Sequence, residues 1–488
     1  MAVEEKAQSS GSSETPSIEG SNTPKAPLAD EKPPIEYRVE ESESQRFDEK
    51  ATKRLLRKID WTLVPFLALL YLLSFLDRTN IGNARLAGLE ADLGMDPNSL
   101  QYNVALSVFF PWYVAAEIPS NLAMKRFRPS VWIPIIMVAW GICCVCMGFV
   151  TNYAGLLAAR MALGIAEGGL FPGVTFFITQ WYKRHECGLR MAIFFSAATA
   201  SGAFGGLLAR GISEMSGVGG HPGWAWIFIL EGIATLVVAI IAFFVMQDYP
   251  ATAKFLSPAE KQEVQRRLEE DRSALADEFD LKYFWHAIRD WKIWVHMIIT
   301  IGIYTPLYRM TVPPYVVACF FCIGAGFLAD RWGQRGIFMI FFNFVAIIGF
   351  IMQISTSNNA VRYAGTFFAA SGIYPNVPQG VAWNGNNIGG STKRGVGIAM
   401  HVGFGNLGGA ISGFLYQAKH APEYYPGHGA LMATLTMSMV LSTLMTIYLR
   451  RENARRDSLY KPPSEYTEQE KWEEREKGDN ATFFRYTV

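Results

Sequence analysis

Twelve apolar stretches, most of them close to the ~20 residues that a helix needs to cross a bilayer, recur along the chain between Trp61 and Leu449. Hydrocarbon offers the backbone no hydrogen-bond partners, so such stretches must be helices that satisfy their own amides. They fall at 61–77, 102–124, 131–150, 154–178, 190–211 and 224–246, then at 292–308, 311–329, 336–354, 361–382, 396–417 and 428–449. A charged segment divides them into two sets of six. Of the 488 residues, 50% are hydrophobic and 18% charged, which is too apolar and too long for one soluble domain. The sequence therefore predicts an all-α integral membrane protein of twelve transmembrane helices in two six-helix pseudo-repeats. Its expected parts are a disordered tail over 1–58, helix bundles over 59–247 and 291–450, a linker over 248–290 and a charged tail over 451–488.

The basic residues test this count independently. Lys53, Arg54, Arg57 and Lys58 precede the first stretch; Lys125, Arg126 and Arg128 follow the second, and Lys183, Arg184 and Arg190 the fourth. Arg331 and Arg335 follow the eighth, Lys393 and Arg394 the tenth, and Arg450, Arg451, Arg455 and Arg456 the last. Breaks on the other side, such as Thr151-Asn152, are poor in Lys and Arg. Positive charge marks the cytosolic side, so both tails and the linker are expected there. In the linker, Ser257, Pro258 and Glu260 compose a capping box that opens a solvated helix. The sequon Asn480-Ala481-Thr482 lies on the same side and is expected to stay unmodified. The first apolar stretch begins too late for a signal peptide. A net charge of +1, with no basic patch interleaved with aromatics, argues against a nucleic-acid partner. The cysteines sit mostly inside apolar runs, where thiols behave as small hydrophobes, so neither metal nor other cofactor is expected.

The two sets also repeat each other. Gly169–Val174, "GLFPGV", matches "GIYPNV" at 372–377, and "GAFGG" at 202–206 matches "GNLGG" at 405–409. Small residues at this spacing let helices approach closely, and paired halves are common in transporter folds. In this register Arg160 corresponds to Tyr363 and Glu167 to Ala370. The charged pair exists in one half only, and that asymmetry points to chemistry. Arg160 and Glu167 are two turns apart, on one helix face and about 10 Å apart along the axis. A charge facing lipid is costly, so both are expected to face the bundle interior. The bland alternative is a buried ion-pair network.

The eighth stretch ends in "GFLADRWGQR", where Gly326, Asp330, Gly333 and Arg335 resemble the loop signature of the major facilitator superfamily. Arg160-x-x-x-Gly164 resembles its fourth-helix motif. "LDRTNIGNARLAGLEADLGM", "EGGLFPGVTFFITQWYKRHE" and "WNGNNIGGSTKRG" are similar to the fungal anion:cation symporters, whose members resemble allantoate, nicotinate, pantothenate and biotin permeases. The resemblance covers about residues 55–450. It implies a proton-coupled importer of small organic anions in the plasma membrane, with a vacuolar location as the alternative, acting as a monomer. The loop after the second stretch departs from the superfamily in lacking its Asp and Gly. The junction at Arg309–Met310 departs further, because the end of the seventh helix and its outer loop are missing from it. Two residues are too few to turn between antiparallel helices, so the chain is expected to carry a deletion there.

The candidate residues follow from these readings. Arg160 presents a planar fork suited to a carboxylate, and Glu167 is the candidate proton carrier. The resemblance makes Arg78 a second anion contact, with Asn80 beside it. Tyr304, Asn387 and Asn406 are candidate hydrogen-bond partners of the substrate, or else contacts between helices. His401, the one histidine deep in a predicted span, is a second candidate proton carrier. Glu117 is expected to make a gate or packing contact near Lys125. Asp330, Arg331 and Arg335 are expected to lock the cytosolic gate. With no P-loop, H-E-x-x-H or G-x-S-x-G, the expectation is a secondary transporter and not an enzyme. The alternatives are a nutrient sensor on a transporter scaffold, or a product inactivated by the deletion.

Overall fold

The computed structural model describes residues 47–96, 99–272, 281–307, 312–415 and 424–459, then 467, 469, 470, 474 and 477–488. The expected deletion at Arg309–Met310 and the tail before Phe47 lie outside the described residues. Helices make up 84% of the described residues, which contain no strand. The first helices are α1 (Glu49–Leu86), α2 (Leu89–Asp92), α3 (Gln101–Ser107), α4 (Phe109–Arg126), α5 (Pro129–Met147), α6 (Tyr153–Glu167), α7 (Leu170–Thr179), α8 (Cys187–Ser213) and α9 (Gly223–Val245). The charged segment supplies α10 (Pro258–Arg272) and α11 (Leu281–Arg289). There follow α12 (Trp291–Leu307), α13 (Val312–Trp332), α14 (Gly336–Ile354), α15 (Asn359–Asn386), α16 (Ser391–Leu415) and α17 (Tyr425–Leu459).

Local chemistry sets several of these boundaries. Asp48 accepts the Ala51 amide at 2.6 Å and starts α1 ten residues before the expected end of the first tail. Asn152 caps α6 and Asn358 caps α15 in the same way. The expected capping box opens α10: the Ser257 amide donates to Glu260 at 2.8 Å and the Glu260 amide to Ser257 Oγ at 3.3 Å.

Among the described residues, nine helical segments are long and apolar enough to cross a membrane: α1, α5, α6 with α7, α8, α9, α13, α14, α16 and α17. The other three expected spans fall short for visible reasons. The second divides into α3 and α4 and carries Glu117, Ser120 and Asn121. The seventh, α12, has 17 residues. The tenth, α15, is long but holds Asn376, Gln379, Asn384 and Asn386 among its buried residues. Elsewhere, large apolar side chains face outward at helical spacing, as at Ile233, Val237, Ile240 and Phe244 on α9 and Ile337, Phe341 and Phe344 on α14. Apolar surface on this scale fits lipid rather than water.

Contacts fall into two sets. α5 packs on α6 and α9, α1 on α8 and α9, and α4 on α6; in the later set α14 packs on α15 and α17, α12 on α16 and α17, and α13 on α15. Two seams join the sets, α8 against α13 and α4 against α16. The second seam is tied at both ends. Asn103 donates to the Gly413 carbonyl at 2.5 Å and Ser107 to that of Ala410 at 3.1 Å, while Asn121 donates to the Gly395 carbonyl at 3.1 Å. The Asn121 end, where α11 of the linker packs on α16, is the linker end of the molecule.

Glycines allow the closest approaches. A Cβ at Gly164 would lie 2.4 Å from the Phe109 carbonyl oxygen, and one at Gly168 2.4 Å from that of Tyr113. Gly168→Ala is expected to lower the thermal midpoint of the purified protein, since overpacking costs about 1–3 kcal/mol. Gly206→Ala, with nothing within 4 Å of the new methyl, is the control; equal midpoints for the two variants would refute the contact.

Candidate substrate site in the first helix set

Six ionisable side chains are buried together in the first set: Asp77 and Arg78 on α1, Glu117 on α4, Arg160 and Glu167 on α6, and Glu231 on α9, none more than 8% exposed. Four carboxyls therefore share the interior with two guanidiniums. Glu167 accepts a 2.7 Å hydrogen bond from Arg78 Nε and a short one from the Ser74 hydroxyl, while its second oxygen has no hydrogen-bond partner among the described residues. The α1 register places Ser74 and Arg78 one turn apart, so both reach the same carboxyl. Arg78 lies over the ring of Tyr113 at 4.5 Å, a cation–π contact that holds the guanidinium without neutralising it.

Arg160 is placed differently. Its ion-pair distance to any carboxylate is not met among the described residues. It donates from Nε to the Ala105 carbonyl and from Nη2 to that of Leu106, each at 3.3 Å, and stacks over Phe109 at 4.9 Å. Nη1 has no partner. A guanidinium that is 1% exposed and keeps an unused donor departs from the rule that buried polar groups are hydrogen-bonded.

Around these two arginines stand acids that the sequence undervalued. Asp77 accepts from Trp140 Nε1 at 2.7 Å, Thr235 Oγ1 at 3.2 Å and Cys144 Sγ at 3.3 Å. Asn80 donates to Glu231 at 2.7 Å rather than facing a substrate, and it leaves its own Oδ1 and Glu231 Oε1 unpartnered. Glu231 carried no sequence signal beyond being a lone acid in an apolar stretch. Glu117 is fully buried at the α4–α16 seam, where a Cβ on Gly403 would lie 2.2 Å from its Oε2. Asn406 stands beside Glu117, but its amide donates to the Val402 carbonyl at 3.0 Å and does not meet hydrogen-bond geometry with either carboxylate oxygen. The side chain of Lys125 lies outside the described residues.

The other candidates divide. Tyr304 and Asn406 lie near one another across the α12–α16 contact, the Tyr304 ring 3.3 Å from the place of a Cβ on Gly405. His401 shares a hydrogen bond with Thr300 Oγ1 at 2.8 Å through Nε2. A second buried histidine, His296 near the start of α12, is 2% exposed with its ring centroid 6.1 Å away. Asn387 is elsewhere: it donates to the Thr487 carbonyl at 2.9 Å and accepts the Thr487 amide at 2.7 Å, at the linker end. Arg335 pairs with Asp330 at 2.5 Å and donates to Gln379 at 2.8 Å, while Asp330 accepts the Leu189 amide of α8 at 2.6 Å. Arg331 is exposed and takes no part in that crossing.

With this geometry in hand, known proteins identify the scaffold. The Major Facilitator Superfamily profile matches residues 67–413. The chain belongs to that superfamily. It is 34% identical to an uncharacterized transporter of Schizosaccharomyces pombe, over 83% of this chain and 88% of the relative. It is 32% identical to the MFS-type transporter cnsO of Penicillium expansum, over 91% and 92%. In fold it resembles the xylose transporter XylE from E. coli in a partially occluded inward-open conformation, with TM-score 0.57 and 13% identity over 80% of this chain and 97% of that one. The human organic anion transporter MFSD10 superposes with TM-score 0.54 and 13% identity, over 79% and 99%. This superfamily member is thus a multi-pass membrane transporter and not an enzyme.

The two arginines are expected to respond differently to removal. Arg78→Met strands the Glu167 carboxylate, and breaking a buried pair in this way costs about 3–5 kcal/mol. Adding Glu167→Gln should recover much of the lost thermal midpoint. Arg160→Met strands no carboxylate, so it should cost less stability and gain nothing from Glu167→Gln. Equal rescue of both variants in thermal denaturation would contradict this assignment of partners.

Proposed function

We propose that the protein is a proton-coupled importer of a small organic anion, a carboxylate such as a vitamin, nicotinate, allantoate or a related nitrogen source. It works by alternating access between two six-helix bundles, over 59–247 and 291–450, with α3–α4, α12 and α15 completing twelve spans. The reading includes a plasma-membrane location with the linker end in the cytosol. The observation that carries it is Arg160: a buried guanidinium with an unused donor and no carboxylate of its own.

The arrangement of Arg78 and Glu167 couples the proton to the anion. In the described conformation Glu167 occupies Arg78 as an internal anion. A proton on Glu167 removes the charge that holds Arg78 Nε, and Arg78 then turns with Arg160 towards the substrate carboxylate. Substrate binding in turn favours the protonated acid, because such linkage is reciprocal. The proton and the anion cancel, so the loaded site carries the same net charge as the empty one and binding adds no charge to move through low dielectric. Glu117 stands beside Asn406 at the same seam and, in this reading, accepts an N–H or O–H from the body of the substrate, with Tyr304 and Asn406 nearby.

Uptake of a panel of labelled carboxylates, at acidic and neutral external pH, tests this in cells expressing the chain. The expected result is acid-stimulated uptake of at least one compound and a flat pH profile in Glu167→Gln at equal surface expression. Acid stimulation that survives in Glu167→Gln would exclude Glu167 as the carrier.

A further inference from the structure

Residues 477–488 contain one short 3-10 turn (Gly478–Asn480) and otherwise no regular structure, yet Asp479, Ala481, Phe484 and Tyr486 within them are at most 4% exposed. Ordering such a segment costs conformational entropy at every residue, so specific contacts must hold it. They are abundant. Asp479 meets Lys292 of α12 and Lys393 of α16, each at 2.6 Å, and both lysines also face Asp290. Arg456 of α17 donates from Nη1 to the carbonyls of Asp479, Ala481 and Phe484 at 2.8, 3.1 and 3.0 Å. The side-chain amides of Asn453 and Asn387 each donate to a carbonyl of the segment and accept the amide of the same residue, at Tyr486 and Thr487 respectively. Burial opposes the ionisation of Asp479, but Lys393 and Lys292 outweigh it and hold the carboxyl below the usual carboxylate range, so the clamp is charged at neutral pH.

The segment also reaches the seam between the helix sets. Arg184, in the connection from α7 to α8, lies over the Phe484 ring at 4.9 Å. The Arg335 amide donates to the Val488 carbonyl at 2.6 Å. That contact fixes the backbone of the residue whose guanidinium holds Asp330 against the start of α8, where a Cβ on Gly188 would lie 2.3 Å from the Asp330 carboxylate. Separating α8 from α13 at the linker end therefore requires Arg184 to leave Phe484, and Leu189 to leave an Asp330 that the segment helps to position.

We propose that residues 477–488 form a latch that holds the linker end shut, and that their release from Lys292, Lys393 and Arg456 is a step in opening it. The proposal rests on the alternating-access reading above. Cys187 provides a native reporter, since it is 1% exposed and lies at the α8 end of this seam, with its thiol donating to the Lys183 carbonyl at 3.3 Å. The test is the rate at which a membrane-impermeant maleimide labels Cys187 of the full chain in inside-out vesicles, resolved by peptide mass spectrometry. Asp479→Asn and deletion of 477–488 should each raise that rate about tenfold, the population shift that follows from losing roughly 1.4 kcal/mol of differential contact. Asp479→Glu, which keeps the carboxylate, should leave it near the native value. An unchanged rate in both disruptive variants would overturn the latch, and a lowered thermal midpoint in those variants would then mark the segment as a plain staple of the second helix set. Labelling needs no transport, so a chain that takes up nothing but shows the predicted rates would sink the importer reading and leave the latch standing.

Discussion

The ion pair between Arg78 and Glu167 is the interaction on which the first helix set depends, because neither charge has water to fall back on. Glu167 is fully buried on α6 and Arg78 nearly so on α1, and the bilayer would surround both with hydrocarbon if the helices parted. Pairing them fixes the rotation of α1 against α6. The close approaches of α4 to Gly164 and Gly168 then follow, because only glycine lets that helix come near enough for Tyr113 to lie under the guanidinium. Removing one partner is therefore a larger disturbance than removing both.

The same cluster is unbalanced by design of its contents. Four carboxyls face two arginines, and the acid that holds Arg78 does so in competition with anything else that presents a carboxylate. Arg160 differs in spending its donors on backbone carbonyls of α3, which keeps it in place without neutralising it. One arginine is thus occupied and releasable while the other is held open. That division of labour suits the proposed function, in which an anion binds only when a proton has arrived.

Much of this was legible in the sequence, and the reasons are specific. Arg160 and Glu167 stood out because a charge in an apolar run has few explanations, and the internal repeat showed that they have no counterpart in the second half. Their partners were not legible. Glu167 bonds to a residue 89 positions away, and a helix pattern read along one stretch carries no record of which neighbour will face it. Asn387 shows the reverse error. It looked like a substrate ligand because it is polar and close to a span, but it holds Thr487, a contact across 100 residues. Glu231 carried the same signal, a lone acid in an apolar stretch, but no charged neighbour on its own helix and no motif drew attention to it.

What the sequence determined by itself was the class of the molecule. Hydropathy is local and additive along a helix, so the apolar stretches, the basic breaks between them and the capping box of α10 could be read without knowing the fold. What only the tertiary structure decided was the pairing of charges and the fate of residues 477–488. The tail over 451–488 is rich in charge and reads as solvated, and no local rule marks residues 477–488 within it as a segment that docks. Its order comes from Lys292, Lys393, Arg456, Asn453 and Asn387 converging on it from three helices and the C-cap of α15, an arrangement that exists only once those helices are packed.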